Sequence, residues 1–174
     1  MIAPKYERPG ADEFAPYYEK YIARVPDGDL LALYATQLDQ VHRVIGSVPE
    51  SRGSHAYAPG KWSIKQVTGH LADCERVFAY RALRIARSDP TPLPGFDENA
   101  WMPSAGFDER SLSDVLGEWI AVRQASIALF GGLPSEATAR RGVANDQAIS
   151  VRALAYIGHG HVTHHLGVLQ ERYL

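Results

Sequence analysis

Gly158-His159-Gly160-His161-Val162-Thr163-His164-His165-Leu166-Gly167 holds four of the seven histidines of a 174-residue chain. The stretch lies in an apolar-periodic segment, Val151 to about Arg172, that Ser150 caps. Its inward positions read Leu154, Gly158, His161, His165, Val168 and Leu169. His161 and His165 are four residues apart, so on a helix their rings leave the same face one turn apart. Two imidazoles at that spacing can grip one divalent ion, which then asks for a third protein ligand. His164 falls on the flank of the pair and reads as an outer partner or a surface group. His159 reads as a surface or packing residue.

The third ligand is sought on another strong helix. Ser63 and Gln66 form a capping box that opens a helix running to about Arg87. Its apolar stripe is Ile64, Val67, Leu71, Cys74, Val77, Phe78, Leu83 and Ile85, and His70 sits within it, so it points inward. Asp73, one turn after His70, is a candidate to orient that ring. Cys74 is on the stripe and reads as a buried structural cysteine. Arg81 and Arg84 could meet an anionic substrate, although surface ion pairs are the commoner use of such residues.

Outward from these two helices, the pattern is helical throughout. Asp29 to Val48 carries Leu30, Leu33, Tyr34, Leu38, Val41 and Ile45 at threes and fours. A further helix starts at Ser111, with Asp114 in an S-x-x-D box, and stops at Gly131-Gly132. Asp12 to Val25 is expected as a short helix capped by Asp12, its aromatic face packed on the outside of the body. The connections 49–61, 88–110 and 131–149 read as loops, and no strand pattern appears. The 88–110 loop is long enough to be a lid. Four long amphipathic helices make an all-α four-helix bundle, residues 29–174, preceded by an arm, residues 1–28, in one domain.

Composition narrows the function classes. Hydrophobic residues make up 45% and charged residues 22%, a globular balance. A net charge of -2 gives no bulk attraction to nucleic acid or anionic lipid. No window of 18 uncharged apolar residues predicts a membrane span, and the first residues lack the apolar core of a signal peptide. With one cysteine there is no internal disulfide, and a cytoplasmic location is the expectation.

The stretches Trp62-Ser63-Ile64-Lys65-Gln66-Val67-Thr68-Gly69-His70-Leu71-Ala72-Asp73 and His161-Val162-Thr163-His164-His165-Leu166-Gly167 resemble the DinB/YfiT-like superfamily of bacterial four-helix-bundle proteins. Pro94-Gly95-Phe96-Asp97 through Trp101 is a weaker match. The resemblance implies a three-histidine metal site at His70, His161 and His165, and a homodimer. Zinc or nickel suits such a site, with iron or manganese open. A bound ion would activate water, making a hydrolase, or a low-molecular-weight thiol, making an S-transferase acting on a small molecule. Val162 follows His161, so the H-E-x-x-H base of zincins is missing. That absence, with the resemblance, tilts the expectation toward an S-transferase. A hydrolase and a non-catalytic metal-binding stress protein are the alternatives. A fourth protein ligand from residues 131–149 would indicate a closed, structural site.

Overall fold

The structure is a computed structural model, and it describes residues 5–174. Four long helices dominate it: α2, Leu30–Gly46; α3, Ile64–Ala86; α5, Leu112–Gly132; and α6, Val151–Arg172. Two one-turn helices, α1 (Glu19–Ile22) and α4 (Glu98–Trp101), sit in the arm and in the 88–110 connection. The starts follow the sequence. Asp29 accepts from the Leu31 amide at 2.8 Å, and Ser150 from the Ala153 amide at 3.0 Å. Ser63 and Gln66 close their box reciprocally, at 3.2 and 2.9 Å. At α5 only half the box forms. Ser111 caps the Asp114 amide, but the Asp114 carboxylate turns to Arg110.

The helices pack with α3 against α5 and α6, and α2 against the same two. Helices adjacent in sequence, α2 with α3 and α5 with α6, therefore stand diagonally. The long connections make this possible, because a short loop can only join neighbours. Two apolar clusters fill the interior. One gathers Leu30, Tyr34, Phe78, Ile85, Phe130 and Leu154; the other gathers Val41, Leu71, Leu116, Trp119, Val162 and Leu169. Among these apolar residues lie the buried polar side chains Gln37, His70, Glu75, Arg123, His159 and His161. On α3 the inward stripe keeps strict helical spacing, so Val77 is only half-buried and Leu83 is exposed, against expectation.

Three further expectations are corrected. The arm is not one helix: Phe14 is extended and Pro16 lacks an amide proton, so the segment breaks into two 3₁₀ turns before α1, and Gly10 rather than Asp12 is the first cap. Nor does the arm merely coat the body. Tyr6, Phe14, Tyr21 and Ile22 are buried, and α1 lies on α6. Gly160 permits that approach, since a Cβ there would stand 2.0 Å from the Tyr21 carbonyl oxygen. Finally, 131–149 contains a β-hairpin, β1 (Arg141–Ala144) with β2 (Gln147–Ser150), whose turn residues Asn145 and Asp146 both have positive φ. Leu93 bonds to this hairpin through Val143 and Asn145, which ties the 88–110 connection to it. Among the described residues no helix is long and apolar enough to cross a membrane.

Candidate metal centre

His70 comes from the second turn of α3, and His161 and His165 from one face of α6. One ring nitrogen of each lies within 4.8 Å of the others, and among the described residues no fourth histidine, cysteine or carboxylate joins the group. His70 Nε2 and His161 Nε2 are 3.1 Å apart. Two nitrogens each about 2.0–2.1 Å from a tetrahedral ion stand roughly 3.3 Å apart, so the spacing fits joint ligation. Burial, joined at His161 and His165 by neighbouring histidines, holds the cluster uncharged. It brings His70 down to about 4 and His165 to about 3, and holds His161 well below its ordinary value. Neutral imidazole is the ligating form, so the donor set also fits a divalent ion.

Aromatic rings fix these imidazoles. Trp62 lies 4.8 Å from His70, Tyr21 5.3 Å and Phe78 5.8 Å from His161, centroid to centroid. Cys74 Sγ rests on the His70 ring, 3.6 Å from Nδ1 and 3.7 Å from Nε2, and burial raises its thiol pKa, so it stays protonated. Asp73 does not take the orienting position. Its carboxylate pairs with Arg76 at 3.5 Å, and no hydrogen bond joins it to a histidine. His164 is half-buried, 5.0 Å from the His165 ring and 5.7 Å from Tyr21. His159 is buried on the other side of α6, against Tyr34 and Thr163, so packing rather than surface describes it.

The cluster borders a cavity of about 400 Å³, within the range of small-molecule sites. The arm contributes Tyr17, Tyr18 and Tyr21; α3 adds Cys74, Phe78 and Arg81 to His70; the hairpin brings Asn145 and Gln147. The 88–110 connection supplies Phe96 and Glu98. Sequence reasoning missed Glu98. It opens α4, directly after Asp97, whose carboxylate caps Asn99 and Ala100 at 2.9 and 3.1 Å. A second, smaller pocket is also lined by His70, Cys74 and Glu98. An acid next to an N-cap in the one loop that carried the family likeness was the available signal. The early tyrosines belong to the cavity. Tyr57 instead packs on Tyr173, Tyr80 is exposed, and Trp101 stacks on Phe96 at 4.8 Å. The two arginines separate: Arg84 pairs with Asp89 and Tyr80 at the surface, whereas Arg81 is buried on the cavity wall.

Comparison with known proteins agrees with the fold. The sequence profile of the DinB superfamily matches residues 32–169. A protein of Oceanobacillus iheyensis named "Putative metal-dependent hydrolase OB0413" is 30% identical over 67 residues, 38% of this chain and 38% of that protein, so the match spans about two-fifths of the relative. The solved structure of YfiT from Bacillus subtilis, described as a probable metal-dependent hydrolase with an unusual four-helix bundle topology, superposes with a TM-score of 0.69. That likeness covers 98% of this chain and 92% of YfiT at 21% identity, and shows a shared fold.

Proposed function

We propose that this chain, which belongs to the DinB superfamily, is a divalent-metal-dependent hydrolase of a small molecule. The observation that carries the reading is that three buried histidines, one ring nitrogen of each within 4.8 Å of the others, border a cavity that the Glu98 carboxylate also lines. His70, His161 and His165 would hold the ion, with zinc and nickel favoured by an imidazole set. When bound, such an ion supplies Lewis acidity and lowers the pKa of a water molecule toward neutrality. The chain's residues do the rest. Uncharged ligands leave the ion's charge undiminished. Glu98 takes the proton that water gives up as it attacks and passes it to the leaving group. Tyr21, Trp62 and Phe78 limit solvent around the rings. Glu98 stands in place of the base whose absence from α6 pointed the sequence reading toward thiol transfer. The names of the relatives favour the same chemistry.

A low-molecular-weight thiol remains the competing nucleophile, and one experiment separates the two. Zinc- and nickel-loaded protein is offered activated esters and amides, with and without added cysteine or glutathione. Thiol-independent turnover, reduced about 10²–10⁴-fold in Glu98→Gln, is expected of a general base. Turnover only with the thiol, indifferent to Glu98→Gln, would replace the hydrolase by an S-transferase.

A further inference from the structure

At its other end the cavity holds a charge that the histidine cluster does not use. Arg81 follows His70 by eleven residues on α3, close to three full turns, so His70, Cys74, Phe78 and Arg81 share one face. Their two extremes are about 16 Å apart along the helix axis. Arg81 is 2% exposed and lines the cavity wall. One of its amino groups donates to the Pro94 carbonyl at 2.7 Å, the Tyr18 hydroxyl faces it, and the Phe96 ring lies 5.6 Å away. Among the described residues it forms no ion pair. The other fully buried arginine, Arg123, does have a carboxylate partner, Glu75, at 2.8 Å. A guanidinium taken out of water without a counter-ion is costly, and its planar fork of donors matches a carboxylate.

We infer that Arg81 is the specificity-determining residue of the cavity, and that the substrate is an elongated molecule bearing a carboxylate at the end remote from the histidines. A single guanidinium balances one negative charge, and Glu98 in the same cavity disfavours a dianion such as phosphate. Phe78 and Phe96 suit an apolar body between the two ends. The inference rests on the hydrolase reading only for which end reacts; recognition by Arg81 needs no metal.

The test uses 4-phenylbutyrate and neutral 4-phenylbutanol as probes. Both are titrated by calorimetry into the purified protein, before and after treatment with a chelator. The acid is expected to bind about tenfold more tightly or better, as charge-assisted hydrogen bonds allow. The preference should survive chelation and vanish in Arg81→Gln with the alcohol's affinity unchanged. Equal affinities in the parent would overturn the inference. So would a preference that disappears with the chelator, which would put the carboxylate on the ion, or one that persists in Arg81→Gln. If Arg81→Gln does not fold, Arg81→Lys decides: it keeps the charge without the fork, so a reduced preference supports the assignment and an undiminished one contradicts it. Because the chelated protein is measured, failure to take up metal would sink the hydrolase and leave this readout intact.

Discussion

Two polar clusters lie on different faces of α3, and they solve burial in opposite ways. Toward α5, Glu75 and Arg123 meet at 2.8 Å with side chains 3% and 0% exposed. Burial pushes the Glu75 carboxyl up and Arg123 opposes it, while Tyr34, 4.2 Å from the guanidinium, and Trp119, 5.3 Å away, cover the cation. That cluster is neutralised within itself and borders none of the cavities described above. Toward α6, His70, His161 and His165 are uncharged, turn their nitrogens toward one another, and open on a cavity. Polar burial alone therefore does not mark a site. An unfinished donor set beside accessible space does.

Breaking the closed cluster should cost the most. Glu75→Ala leaves Arg123 buried and unpaired, and denaturant unfolding should show a loss of about 3–5 kcal/mol with metal uptake preserved. Replacing both, by Leu and Met, should restore most of that loss; a double variant as unstable as the single would mean that the pair does more than neutralise itself. Next in size is Gly160→Ala, whose Cβ would collide with the Tyr21 backbone. A loss of about 1–3 kcal/mol is expected, together with faster proteolysis of the arm, because α1 must lift off α6. Unchanged arm proteolysis would refute that packing argument.

Acid separates the clusters more gradually. His70, His159 and His165 are held near 4, 4 and 3, below the ordinary 6.5, first by burial. The unfolded chain takes up protons at these positions before the folded one does. The stability they contribute is thus fully present above pH 6.5 and is lost as pH falls through about 4. Metal-free protein should show a falling denaturation midpoint across that window, flattened when His159 and His165 are replaced by Gln. A midpoint constant from pH 6.5 to 4 would contradict the burial of neutral rings. The smallest effect concerns the carboxylate at the cavity. Asp97→Ala removes the α4 cap, worth about 1 kcal/mol. Turnover should fall several-fold as Glu98 loses its fixed position, with metal content unchanged; unaltered turnover would remove α4 from the mechanism.

The sequence made the histidine cluster legible because helical spacing converts directly into shared faces. His161 and His165 needed only their four-residue separation, and His70 only its place between Val67 and Leu71 on an apolar stripe. The four long helices were legible for the same reason, with caps at Asp29, Ser63, Ser111 and Ser150 marking their starts. What periodicity could not convey is which segment crosses which. The tyrosines of the arm reach the cavity through a close approach at Gly160, and Glu98 reaches it because Leu93 is pinned to a hairpin. That hairpin has only four residues per strand, too short for alternation to register, and its Asn145-Asp146 turn was the only local clue. Asp73 was misplaced by proximity in sequence: three residues after His70, its carboxylate pairs with Arg76. Arg81 was visible as a residue, yet its missing counter-ion exists only in three dimensions.

The central claim is that His70, His161 and His165 together hold a divalent ion, and elemental analysis of tag-free protein tests it most directly. The parent, His70→Ala, His161→Ala, His165→Ala and, as a control from the closed cluster, Glu75→Gln would be incubated in turn with zinc, nickel, iron(II) and manganese and then desalted. The expected result is about one ion per chain in the parent and in Glu75→Gln, as one three-histidine site requires, and its loss in each histidine variant. A parent that retains none of the four metals, or histidine variants that keep the ion, would contradict the account.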